Sequence, residues 1–170
     1  MKHVNNLFLD NCVRWLTNFP SEFDRLPIDL EEDLSKGIVE IKGLFFIKSL
    51  VELRTDFSMS VNEDMTDDDK KYFELDHNEL CMLNYGFPHT GKDTQRNASR
   101  AFAMGITASY RLATILKPLG VFSIIHSFNY DFENKLISSY LSFNKIRDSK
   151  PQWPNLDKGK VLGVMEIITD

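Results

Sequence analysis

Hydrophobic positions recur at helical spacing through most of the first two-thirds of this chain and alternate in the last third. From Asn5 to Asn18, Leu7, Phe8, Cys12, Trp15 and Leu16 outline one helical face, and Pro20 ends the run. Leu30 to Lys36 reads as a short helix with Asp29 as its N-cap and Gly37 just past its end. Ile38 to Val61 admits two readings. Ile41, Leu44, Phe45, Leu50 and Val51 suit a helix over Val39 to Arg54, the reading preferred here because long periodic segments are the safer helices. The β-branched and aromatic content suits a pair of strands around Gly43 instead. Met65 to Met82 reads as another helix. It opens with Thr66 and places Asp69 three residues later, a capping box with Asp in place of Glu.

Asn84 to Asp93 carries Gly86, Pro88 and Gly91 and reads as a loop. The strongest helix follows, from Asp93 to Lys117, with Ala101, Phe102, Gly105, Ala108, Leu112, Ile115 and Leu116 on its apolar face. Its alanines and Gly105 allow a neighbouring element to approach closely, and Pro118 and Gly120 end it. Val121 to Asn129 and Leu136 to Ile146 then alternate as strands about a short turn containing Asp131 and Asn134. A loop from Arg147 to Lys160 leads to a last strand, Val161 to Thr169. The order predicts an α+β fold in one domain spanning residues 1–170. A helical N-terminal two-thirds packs on a C-terminal antiparallel β-meander of about three strands.

Composition adds that a real core is available. The 170 residues are 42% hydrophobic and include 13 Phe, most of which must be buried for want of a polar end. Two cysteines, Cys12 and Cys81, make no disulfide framework. No stretch reads as a signal peptide or a membrane span, which points to the cytoplasm.

Charge changes the picture more. Residues 1–85 hold 18 Asp and Glu against 9 Lys and Arg; residues 86–170 hold 7 against 11. The densest run is Glu63, Asp64, Asp67, Asp68, Asp69, Glu74, Asp76 and Glu79, opposed only by Lys70 and Lys71. Part of it is explained as a helix start, where acids favour the macrodipole. The rest is a surface suited to a basic protein and unsuited to nucleic acid. Asp29, Glu31, Glu32 and Asp33 extend it. Arg96, Arg100 and Arg111 lie on one long helix and suit pairing with the acidic half.

Candidate chemistry is sparse. Gly86 to Asp93 nearly spells a phosphate-binding loop, but Asp93 stands where Ser or Thr should hold magnesium. His77 and Cys81 lie four apart beside Asp76 and Glu79, without the second ligand pair a zinc site needs. His126, with Ser123, Ser127 and Asp131 nearby, invites a hydrolase reading, yet no nucleophile elbow is present and Ser127 falls on the opposite strand face. No cofactor or metal follows from these patterns. Trp153, between Pro151 and Pro154, suits either a partner anchor or a lid over the sheet.

The run Ser139 to Arg147, then Gln152-Trp153-Pro154-Asn155-Leu156-Asp157, then Val161 to Ile168, resembles small immunity proteins of bacterial contact-dependent inhibition and polymorphic toxin systems. The resemblance covers about the last 50 residues and carries no individual binding residue with it. It implies a cytosolic, non-enzymatic inhibitor made alongside a toxin, one that occludes a toxin domain such as a nuclease; a monomer or weak dimer is expected. The surface expected to do so comprises Glu63, Asp64, Asp67, Asp68, Asp69, Phe73, Glu74, Asp76 and Trp153. A small hydrolase or nucleotide-binding enzyme using His126 or the 86–94 loop is one alternative; an adaptor or structural protein is the other.

Overall fold

The computed structural model describes residues 2–5, 25–52, 54, 56–85, 94–131, 136–147 and 163–170. The expected helix at Asn5 to Asn18 lies outside them except for Asn5, as do the 86–93 loop, the 132–135 turn and Trp153.

The largest element is a five-stranded antiparallel sheet. Its strands are β1 (Lys2–Asn5), β4 (Leu80–Cys81), β5 (Phe122–Asp131), β6 (Leu136–Lys145) and β7 (Gly163–Ile168), in the order β1-β7-β5-β6-β4. The predicted C-terminal strands exist, but they do not form a meander. After the β5–β6 hairpin the chain crosses to the other side of β5, and the sheet is completed by β1 and β4 from the first half. The expected helical N-terminal two-thirds is therefore corrected: strands occur in both parts of the chain, with helices between them.

The second correction concerns Val39 to Arg54. This segment is a hairpin, β2 (Ile38–Ile41) and β3 (Leu44–Ile47), followed by one helical turn, α2 (Lys48–Val51). Lys42 and Gly43 form its turn with φ of 50° and 79°, a pair of positive angles that suits a tight two-residue hairpin and that a helix forbids. The cause of the misreading is burial on both faces of β3. Phe45 and Ile47 enter the main core, while Leu44 and Phe46 enter a smaller one with Val51, Phe57 and Val61. A strand covered on two sides shows no polar alternation, so its apolar run looks the same as a helix segment.

The remaining helices are α1 (Ile28–Ser35), α3 (Phe57–Ser60), α4 (Asp67–His77) and α5 (Thr94–Leu116). Asp29 is not the cap of α1; Pro27 holds that position and Asp29 accepts from the Leu30 amide instead. Gly37 follows α1 with φ 79°, its amide bonded to the Leu34 carbonyl. Helix α5 lies across the inner face of the sheet. Ala98, Ala101, Phe102, Ala108, Leu112 and Leu116 bury against Phe122, Ile124, Phe128, Leu141 and Phe143. Each fully buried Phe in this layer contributes about 2–3 kcal/mol relative to exposure.

Candidate functional site

Helix α4 packs beside β3 and presents three different faces. The capping box read from the sequence is formed in full. The Thr66 hydroxyl accepts from the Asp69 amide at 3.2 Å, and the Asp69 carboxylate accepts from the Thr66 amide and hydroxyl. Those bonds from Thr66 hold the Asp69 carboxyl below its ordinary value.

One face of α4 points inward and is polar, with Lys71, Glu74 and Asn78 all buried. Glu74 accepts from the amides of Phe45 on β3 and Lys145 on β6, each at 2.9 Å, and from both terminal nitrogens of Arg147 at 2.6 and 2.9 Å. Asn78, one turn on, accepts from the Ile47 amide and donates to the carbonyls of Phe45 and Phe143. Arg147 also donates to the Gly43 carbonyl. Two helix side chains and one arginine thus stand between β3 and the outer edge of β6, where a further strand would supply the same hydrogen bonds. Glu74 is therefore withdrawn from the expected partner surface: it has no exposed area, and all its acceptor capacity is used internally.

A second face joins the smaller core. Phe73 is half-buried and stacks on His77 with ring centroids 4.1 Å apart, against Phe46 and Phe57. His77 Nδ1 donates to the Phe73 carbonyl, and α4 ends there, so Cys81 lies on β4 rather than on the same helical face. Among the described residues no group of three or more His, Cys, Asp or Glu is placed to hold a metal ion.

The third face is open. Glu63, Asp64, Asp67, Asp68, Asp69, Asp76 and Glu79 are exposed. Asp64, Asp69 and Asp76, with Asn62, Met65, Tyr72 and Phe73, line a shallow depression of about 410 Å³. Tyr72 is 58% exposed, an aromatic on this surface that the charge pattern did not single out. Its one sequence signal is its place beside Phe73 on a helix whose apolar face is elsewhere. The approach to this surface is held by local bonds. Asn62 accepts from the Asp64 amide, and Lys42 at the hairpin tip donates to the Val61 carbonyl at 3.0 Å with Glu63 at 3.6 Å. Of the helix arginines, Arg111 pairs with the acidic half, 2.8 Å from Glu31.

His126 is in a different setting from the one the hydrolase reading needs. Ser123 and Ser127 lie on the opposite face of β5, and Ser123 donates to the buried Glu166. The fully buried His126 ring instead meets Ser139 of β6 at 3.0 Å, a partner that no local pattern announces because it comes from the next strand. Ser139 donates its own proton to the Ala101 carbonyl of α5. Its hydroxyl is committed to the core, with no exposed area from which to attack a substrate.

No helix among the described residues is long and apolar enough to cross a membrane. Comparison of the chain with protein-family models, with curated proteins and with solved structures found no match.

Proposed function

We propose that this protein is a stoichiometric inhibitor of another protein, an immunity protein that acts in the cytoplasm on a cognate toxin domain with a basic surface, most concretely a nuclease. The supporting observation is the exposed face of α4 and its approach, where six carboxylates from Glu63 to Asp76 are exposed and three of them, Asp64, Asp69 and Asp76, line one depression with the exposed Tyr72. A surface of this sign accelerates encounter with a cationic partner and opposes nucleic acid. An exposed aromatic on it supplies packing that charge alone does not. The capping box, the Asn62 turn and the Lys42 bond keep the surface ordered before any partner arrives, which lowers the ordering cost of binding. Inhibition then consists of covering the toxin's active site, and requires no chemistry from this chain.

The test is co-expression with the toxin encoded beside this gene, followed by stopped-flow measurement of the purified pair. Asp64→Lys, Asp68→Lys and Asp76→Lys are combined, leaving Asp69 in place because it caps α4. The expected result is loss of protection and an association rate lower by about tenfold or more, with a flattened salt dependence. Unchanged rate and protection in the triple variant would remove this face as the interface. Failure of the wild-type chain to bind the neighbouring product would remove the immunity reading itself.

A further inference from the structure

Helix α5 and the sheet meet at a notch filled by one imidazole. A Cβ built on Gly105 would lie 2.1 Å from His126 Nε2, so the ring occupies the space that any other residue at 105 would need. The ring is fully buried, with Phe102 5.9 Å away between centroids. Its protonation state follows from the hydrogen bonds. Ser139 spends its proton on the Ala101 carbonyl, so at the 3.0 Å contact His126 Nε2 must donate to Ser139 Oγ. That leaves Nδ1 as a bare lone pair, buried and without a partner among the described residues.

We infer that His126 is an acid-operated release for helix α5: a proton added at Nδ1 drives the imidazole out of the Gly105 notch and opens the α5–sheet interface. The new N–H would find no acceptor among the described residues, and the ring's positive charge would be confined in the core. The groups facing the ring offer no compensation. Among the described residues they are Ala101, Phe102 and Gly105 from α5, Ser139 and Leu141 from β6, and Met165 from β7, none of which carries charge. The charged residues adjacent to these in the sequence are Arg100, next to Ala101, and Glu166, next to Met165; the Glu166 side chain takes the opposite sheet face and accepts from Ser123. Neither offsets burial, which alone pushes His126 down from 6.5 to about 4. Because the folded state binds the proton less readily than the open chain, acid favours opening. The open population rises about tenfold per pH unit as pH falls from 6.5 towards 4, about 300-fold in all.

Hydrogen exchange of α5 amides on the full chain, corrected for intrinsic rates, reads this directly between pH 7 and pH 4. Protection across residues 94–116 is expected to fall with that slope in the wild type and to lose it in His126→Gln. The same slope in His126→Gln would overturn the inference. Should that variant not fold, NMR titration of the wild-type histidine rings decides instead. A His126 signal that titrates near 6.5 while α5 stays protected refutes the inference, and one that stays neutral until α5 opens upholds it.

Discussion

Replacing Glu74 with alanine is expected to be the most damaging single change on α4. Its carboxylate receives two bonds from Arg147 and one each from the Phe45 and Lys145 amides. Truncation leaves the Arg147 side chain, 12% exposed, without its counter-charge, and leaves two backbone donors without acceptors. Breaking a buried ion pair by removing one partner costs about 3–5 kcal/mol. The orphaned amides add about 1–3 kcal/mol each where no water reaches them. Arg147 keeps the carbonyls of Gly43 and Lys145, which favours the lower end. A loss of about 5 kcal/mol is therefore expected, a large share of the roughly 5–15 kcal/mol that a domain has. Urea denaturation at pH 7, followed by near-ultraviolet circular dichroism, measures it. Arg147→Met alone should cost a similar amount. Combined with Glu74→Ala, it should show a coupling above about 1.5 kcal/mol, since both residues belong to one network. A Glu74→Ala variant within 1 kcal/mol of wild type, or strict additivity of the pair, would refute the view that this network fastens the hairpin to the sheet.

Three further outcomes follow from other parts of the fold. Gly105→Ala should lower stability by about 3 kcal/mol or more, because its Cβ meets the His126 ring rather than a flexible side-chain end. Most of that loss should return in Gly105→Ala combined with His126→Ala, measured by thermal melting. Thr66→Ala should cost about 1 kcal/mol through loss of the cap. It should also bring the Asp69 carboxyl back towards 3.8 in an NMR titration; in the wild type that carboxyl lies lower, so the cap's contribution is lost only as pH falls below 3.8. Arg111→Ala, by contrast, breaks an exposed pair with Glu31 and should change stability by about 1 kcal/mol or less, as a urea midpoint would report.

Legibility in the sequence followed the range of the interactions. The Thr66 capping box, Gly37 after α1 and the bounds of α5 depend on neighbours within a few residues, and the sequence pattern located them. β1 depends on β7, about 160 residues away, and a four-residue strand gives no local sign of such a partner. The β2–β3 hairpin was hidden because β3 is buried on both faces, although the Lys42-Gly43 turn was there to be weighed more heavily. At the candidate surface, counting charges placed the exposed carboxylates but not their directions. Glu74 and Asp76 are two residues apart and point oppositely, one into a buried network and one into solvent. Only the partners waiting on β3 and β6 decide which carboxylate turns inward.

The pairing of Lys2–Asn5 with Met165–Ile168 has a consequence for how the molecule comes into being. A ribosome delivers β1 some 160 residues before β7, so that strand waits through the elements between them before its partner exists. Closing a loop of that length is slow, and β5 and β6 can form their hairpin well before it. Through that interval β7's docking side on β5 and the lone β1 segment are both open to strands from other molecules. Nascent chains held close together on one messenger would therefore risk exchanging their first strand, and spacing them by slower initiation should raise the yield of monomer.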